Sequence, residues 1–141
     1  IDMPAIRNRA YGLKDLKKIK RYIVFYILTE NSQAISIHLI DCQIGKIQIG
    51  YKLSDAKTVC LDRVISPEQI PIKDIIPSRF VFLAKFLDGK KLVIKCQKET
   101  EFEFTYDDDG YTVLQSAAKF DINGIKARGI IHLGRNLTLS D

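Results

Sequence analysis

The side chains best equipped for chemistry in this chain are two histidines, three cysteines, a triple aspartate and a basic leader. His38 and His132 lie in apolar alternating stretches, where an outward or hydrogen-bonded strand histidine is expected rather than a general base. Catalysis would need a deep pocket that places one of them beside Asp41, Asp62 or Asp121, because an imidazole needs a partner to orient it. Ser66, Ser78 and Ser116 fall near turns or strand ends, where serine usually serves the backbone. There is no G-x-S-x-G or comparable nucleophile motif. Cys42, Cys60 and Cys96 are odd in number, far apart and free of C-x-x-C spacing, which argues against a disulfide framework or a zinc site. Each is expected to be a buried thiol acting as a small hydrophobe. Asp107, Asp108 and Asp109 are consecutive, not alternate as in a calcium loop, and read as a solvated turn. Gly45 with Gly50, and Gly129 with Gly134, are spaced wrongly for a phosphate cradle. The residues therefore predict no enzyme, no metal and no cofactor.

Charge is the strongest remaining signal. The first 21 residues hold Arg7, Arg9, Lys14, Lys17, Lys18, Lys20 and Arg21 against Asp2 and Asp15. The other 120 residues carry equal numbers of basic and acidic side chains, so the net charge of +5 belongs to the leader. Phosphate contacts need lysine and arginine on an element that can follow a backbone. Tyr11 and Tyr22 flank these cations, and single strands stack on aromatic rings. The expectation is a non-catalytic binding module that contacts nucleic acid through this arm and a neighbouring β face. The alternative is a protein-interaction or assembly domain of a larger protein. It would dock through the edge of the apolar strand at 79–87, or through an acidic stripe of Glu99, Glu101 and Glu103. That stripe opposes Thr100, Phe102 and Phe104 on an alternating segment, and it equally suits the chain's own basic arm.

The elements that must position these residues are mostly strands. Leu13, Leu16, Ile19 and Ile23 recur at intervals of three and four, predicting one or two turns of amphipathic helix. From Tyr22 the chain is β-branched, aromatic and alternating. Pro67, Pro71 and Pro77 interrupt it. Asp88-Gly89 predicts a tight hairpin with positive φ at both positions. The sum is an all-β fold of about nine or ten short antiparallel strands, a small barrel or two-sheet sandwich, with a basic N-terminal arm or short helix. Residues 1–21 form the arm and 22–141 the domain. A faint echo between 45–53 and 129–137 raises a second organisation, two similar β units joined near 65–78.

A chain of 141 residues with 46% hydrophobic content can bury a core without staples. No apolar run approaches the ~18 residues of a membrane helix. Unpaired cysteines point to an intracellular setting, cytoplasmic or nuclear, and the start at Ile1 to a processed chain or a fragment of a larger protein. Two partial resemblances exist. Gly110-Tyr111, Phe120-Asp121-Ile122, Lys126-Ala127-Arg128-Gly129 and Leu133 are similar to one blade of the DNA-wrapping β-pinwheel of bacterial type II topoisomerase A subunits, which implies DNA binding. The stretches 22–44 and 59–94 resemble strands of chemotaxis coupling domains, which implies a protein scaffold. Neither supplies a residue role.

Overall fold

A computed structural model describes residues 18–55, 57–65, 75–106 and 111–139. Eight strands follow in chain order: β1 (Ile19–Thr29), β2 (Ala34–Cys42), β3 (Gly45–Ser54), β4 (Lys57–Ile65), β5 (Arg79–Phe86), β6 (Lys91–Tyr106), β7 (Tyr111–Ile122) and β8 (Ile125–Asn136). Each pairs antiparallel with the next, and β8 pairs with β1, closing an up-and-down barrel. The all-β expectation holds. The strands are fewer and longer than the nine or ten short ones predicted, because runs read as separate pieces are continuous ladders such as the 16-residue β6.

Alternation supplies the core. Ile23, Phe25 and Ile27 of β1 face inward with Ile35, Ile37 and Leu39 of β2, Phe82, Ala84 and Phe86 of β5, and Ile94 and Cys96 of β6. Phe25 meets Phe82 across the lumen, with ring centroids 4.9 Å apart. Lys52 is a buried exception on the inner side of β3. Its Nζ lies 2.7 Å from Asp88 Oδ2 and 4.9 Å from the Phe86 ring centroid, so the cation is both paired and cushioned as it spans that end of the barrel.

Two local readings change. Ile19 and Ile23, assigned to a helix, lie on β1, since a spacing of four is one face of a strand as well as of a helix. Residues 13–17 lie outside the described residues. At Asp88-Gly89 only Gly89 has positive φ (81°), and Asp88 Oδ1 instead accepts a bond from Lys90 N–H. The two-residue turn with both φ positive is Asn123-Gly124, at 51° and 90°, joining β7 to β8.

The echoing segments occupy β3 and β8, but their matching positions face opposite ways. Gln48 opposes the core residue Leu39, whereas His132 opposes Val24 on the outer wall. The stretch similar to a pinwheel blade forms the β7–β8 hairpin of the closed ring. No helix among the described residues is long and apolar enough to cross a membrane.

Candidate functional site

The outer wall of β5 to β8 gathers cations through register alone. Arg79 pairs with Gln97, Gln97 with Lys119, and Lys119 with Arg128, forming one row across four strands. The adjacent row runs Val81, Lys95, Asp121, Lys126. All five cations are exposed. Lys119 Nζ lies 2.5 Å from Glu99 Oε1, and Lys126 Nζ lies 2.8 Å from Asp121 Oδ2. The bond from Lys119 holds the Glu99 carboxyl below its usual range. Asp121 is held low first by Lys126 and then by the Gly124 N–H. Arg79, Lys95 and Arg128 have no ion-pair partner among the described residues.

These side chains border a groove of about 610 Å³ whose lining also includes the intervening inward-facing residues Phe80, Cys96 and Phe120. A second groove of about 490 Å³, containing Arg128 and Leu28, shares Lys119, Phe120 and Lys126 with it. Farther along the outer side of β6, Phe102 and Phe104 stack with centroids 6.4 Å apart, and Phe102 is 53% exposed. A cationic groove with an aromatic platform beyond it can hold phosphates and stack bases.

The residues anticipated from sequence are distributed differently. Arg7, Arg9, Tyr11, Lys14 and Lys17, with Asp107, Asp108 and Asp109, lie outside the described residues. Lys18 is exposed and Lys20 half-buried. Arg21 faces inward at the barrel mouth, 4.0 Å from Asp41. Tyr22 stacks on the buried Tyr111 at 6.0 Å, over Gly134, where any Cβ would strike the Tyr22 ring. Burial, and then the neighbouring Tyr22, push the Tyr111 hydroxyl pKa upward.

The acidic stripe is divided. Glu99 is the extra residue of a β-bulge between Lys98 and Thr100, so strict alternation breaks there. Glu99 meets Lys119 on the outer wall, whereas Glu101 and Glu103 turn to the inner side. Glu101 accepts from Ser116 Oγ at 3.2 Å and Lys98 Nζ at 3.0 Å, and Glu103 lies 3.4 Å from Arg135. Phe102 and Phe104, opposite them, become outward.

His38 and His132 flank Tyr26 on the outer wall, each ring edge-on to it at 5.7 and 5.8 Å. Ser36 Oγ lies 2.8 Å from His38 Nε2. Asp41, Asp62 and Asp121 are engaged elsewhere, with Arg21, Lys85 and Lys126. Of the thiols, Cys96 alone is buried, and burial pushes its pKa up to about 12. Cys42 is half-buried and Cys60 exposed. Among the described residues, no three His, Cys, Asp or Glu side chains cluster as a metal site.

Sequence reasoning missed Arg79, Lys95, Lys119, Lys126, Arg128 and Phe102. Their local signal is a cation at alternate positions near strand ends, as in Lys126-Ala127-Arg128. Charge neutrality of the body masked it.

No known protein family matches this chain, and no curated protein does. Among solved structures it is similar to kievitone hydratase from Nectria haematococca, with a TM-score of 0.56 and 12% identity. The similarity covers 83% of this chain and 40% of the hydratase. At that identity the likeness is one of fold.

Proposed function

We propose that this protein is a non-catalytic nucleic-acid-binding module whose contact surface is the outer wall of β5 to β8. The observation that carries this reading is the pair of cross-strand rows, with five cations and one carboxylate, Asp121, at an open groove. Phosphates would sit on Arg79, Lys95 and Arg128. Bases would stack on Phe102, some 20 Å along β6 at the usual rise per residue. The combination of spread cations and an exposed ring favours a single strand over a duplex. An intracellular setting is part of the same proposal.

Fluorescence anisotropy of labelled single- and double-stranded oligonucleotides across a salt series tests it. Three to five phosphate contacts on a single strand predict a slope of log affinity against log salt of about −2 to −3.5. The triple variant Arg79→Glu, Lys95→Glu, Arg128→Glu should abolish retention at low salt. Salt-steep binding that survives this variant and disappears when residues 1–17 are removed would move the site to the leader.

A second reading, protein docking, has one observation in its favour. Pairing between β5 and β6 ends at Gln97, so the 99–106 edge of β6 opposite β7 pairs with no described strand. Strand addition there would depend little on salt.

A further inference from the structure

We infer that two copies of this chain associate reversibly through the outer wall of β8, β1, β2 and β3. Register lays uncharged rows across these four strands. The central row reads His132, Val24, His38, Ile49, and the rows on either side, through Tyr22 and Tyr26, also hold no Lys, Arg, Asp or Glu. Outward positions of an antiparallel sheet that faces water are usually polar. Here Ile47, Ile49 and Ile130 keep 39%, 51% and 38% of their surface exposed. Tyrosine and isoleucine without lysine or carboxylate is the composition of an interface core. At its centre Tyr26 stands between His38 and His132, each ring edge-on to it, a preformed aromatic anchor.

Electrostatics selects a second copy and this orientation. The chain carries a net charge of +5, so copies repel one another overall. The ring order sets β5 and β6, with Arg79 and Lys95, diametrically opposite β1 and β2. Contact through the uncharged wall therefore holds the two basic walls as far apart as the barrels allow. A two-fold contact brings one patch against its own copy, and a face without charge meets itself with no like-charge penalty. A strongly acidic or basic partner would find nothing here to pair with.

Size sets the strength. Four strands ~4.8 Å apart and seven residues at ~3.4 Å each give a footprint of roughly 450 Å² per copy. The relief of the side chains adds to that, against the ~800 Å² each partner contributes to a standard interface. The contact is therefore a reversible dimer in the micromolar range.

Sedimentation velocity of the full chain across the micromolar range tests this. The population should pass from one barrel to two as concentration rises. Ile49→Lys on β3 and Ile130→Lys on β8 should each raise the dimer Kd about tenfold or more, because the symmetric contact buries the added cation twice. Circular dichroism checks their folding, and either variant carries the test if the other fails to fold. Val81→Lys adds the same charge at a 45% exposed position on the opposite wall and should leave the dimer intact. The charge-reversed basic wall should also still dimerise, which separates this face from the nucleic-acid surface. A monomer at every concentration, a dimer indifferent to Ile49→Lys and Ile130→Lys, or equal weakening by Val81→Lys would overturn the inference. So would a dimer that forms only after residues 1–17 are removed, which would make the leader the occupant of this face.

Discussion

Along β8, β1, β2 and β3 the outer wall carries no formal charge from Ile130 to Gly134, Tyr22 to Leu28, Ala34 to Ile40 and Ile47 to Leu53. Along β5 to β8 two rows of the outer wall alone carry five cations and Asp121, with Glu99 beside them and Lys85 and Lys91 farther along. Both are built from alternating strands of similar composition, and β8 contributes to both, with Lys126 and Arg128 at its start and Ile130 and His132 farther on. The contrast teaches that surface chemistry here is a property of rows across strands. A row is set by register, and register is set by the inward residues and the turns.

Behind the uncharged wall, two lumen-facing positions opposite Ile27 and Ile37 are closely packed. A Cβ at Gly129 would lie 2.0 Å from the Tyr26 carbonyl oxygen, and one at Gly50 would lie 2.4 Å from that of Ser36. Both obstacles are backbone, so these glycines let neighbouring strands approach as the wall bends. The largest effect that would break the comparison is therefore on stability. Gly129→Ala should cost about 3 kcal/mol or more in urea unfolding, the upper range for overpacking. Gln97→Ala on the exposed basic wall should stay within about 0.5 kcal/mol. Equal costs would mean that a lumen-facing position and the exposed basic wall are equally tolerant.

Next in size is the contrast in binding. Arg128→Glu alone should reduce oligonucleotide affinity several-fold. Ile49→Lys, at a position 51% exposed on the uncharged wall, should leave it nearly unchanged. If the added lysine restored what the lost arginine removed, net charge rather than the basic rows would govern binding.

Acid should separate the walls a third way. Burial lowers the pKa of His132 below its ordinary value. Above the unfolded value of about 6.5 both states are neutral and the full stability is present. As pH falls through the lowered folded value, the unfolded chain takes the proton more readily and stability is lost. Melting temperature should therefore fall between pH 7 and pH 5, and His132→Gln should flatten that fall. An unaltered pH profile in the variant would count against the burial argument.

The smallest effect is on the basic wall. Glu99 and Asp121 are held ionised by Lys119 and Lys126, so its charge is steady through the histidine range. Replacing both carboxylates, by Glu99→Gln with Asp121→Asn, should tighten oligonucleotide binding about two- to threefold at low salt, read by anisotropy. Weaker binding would mean that these carboxylates serve mainly to position the lysines.

Much of this was legible before the fold. The β-branched, aromatic and alternating character from Tyr22 onward named strands, and Ile35, Ile37 and Leu39 are where that alternation becomes a core face. Turn chemistry was read less well. Asp-Gly drew attention, yet Asn123-Gly124 forms the two-residue turn, because each hairpin's loop length selects its turn type.

The sequence by itself determined the all-β class, the apolar alternation that fills the barrel and the charge balance of the body. These are local properties, each a matter of one strand and its period of two. Tertiary structure decided ring closure through β1 and β8, the bulge at Glu99 that sends Glu101 and Glu103 inward, and the meeting of Arg79, Lys95, Lys119, Lys126 and Arg128 on one wall. Those outcomes depend on pairing between residues tens of positions apart. A single extra residue in one strand exchanges inside for outside, and no local pattern records which partner a strand will take.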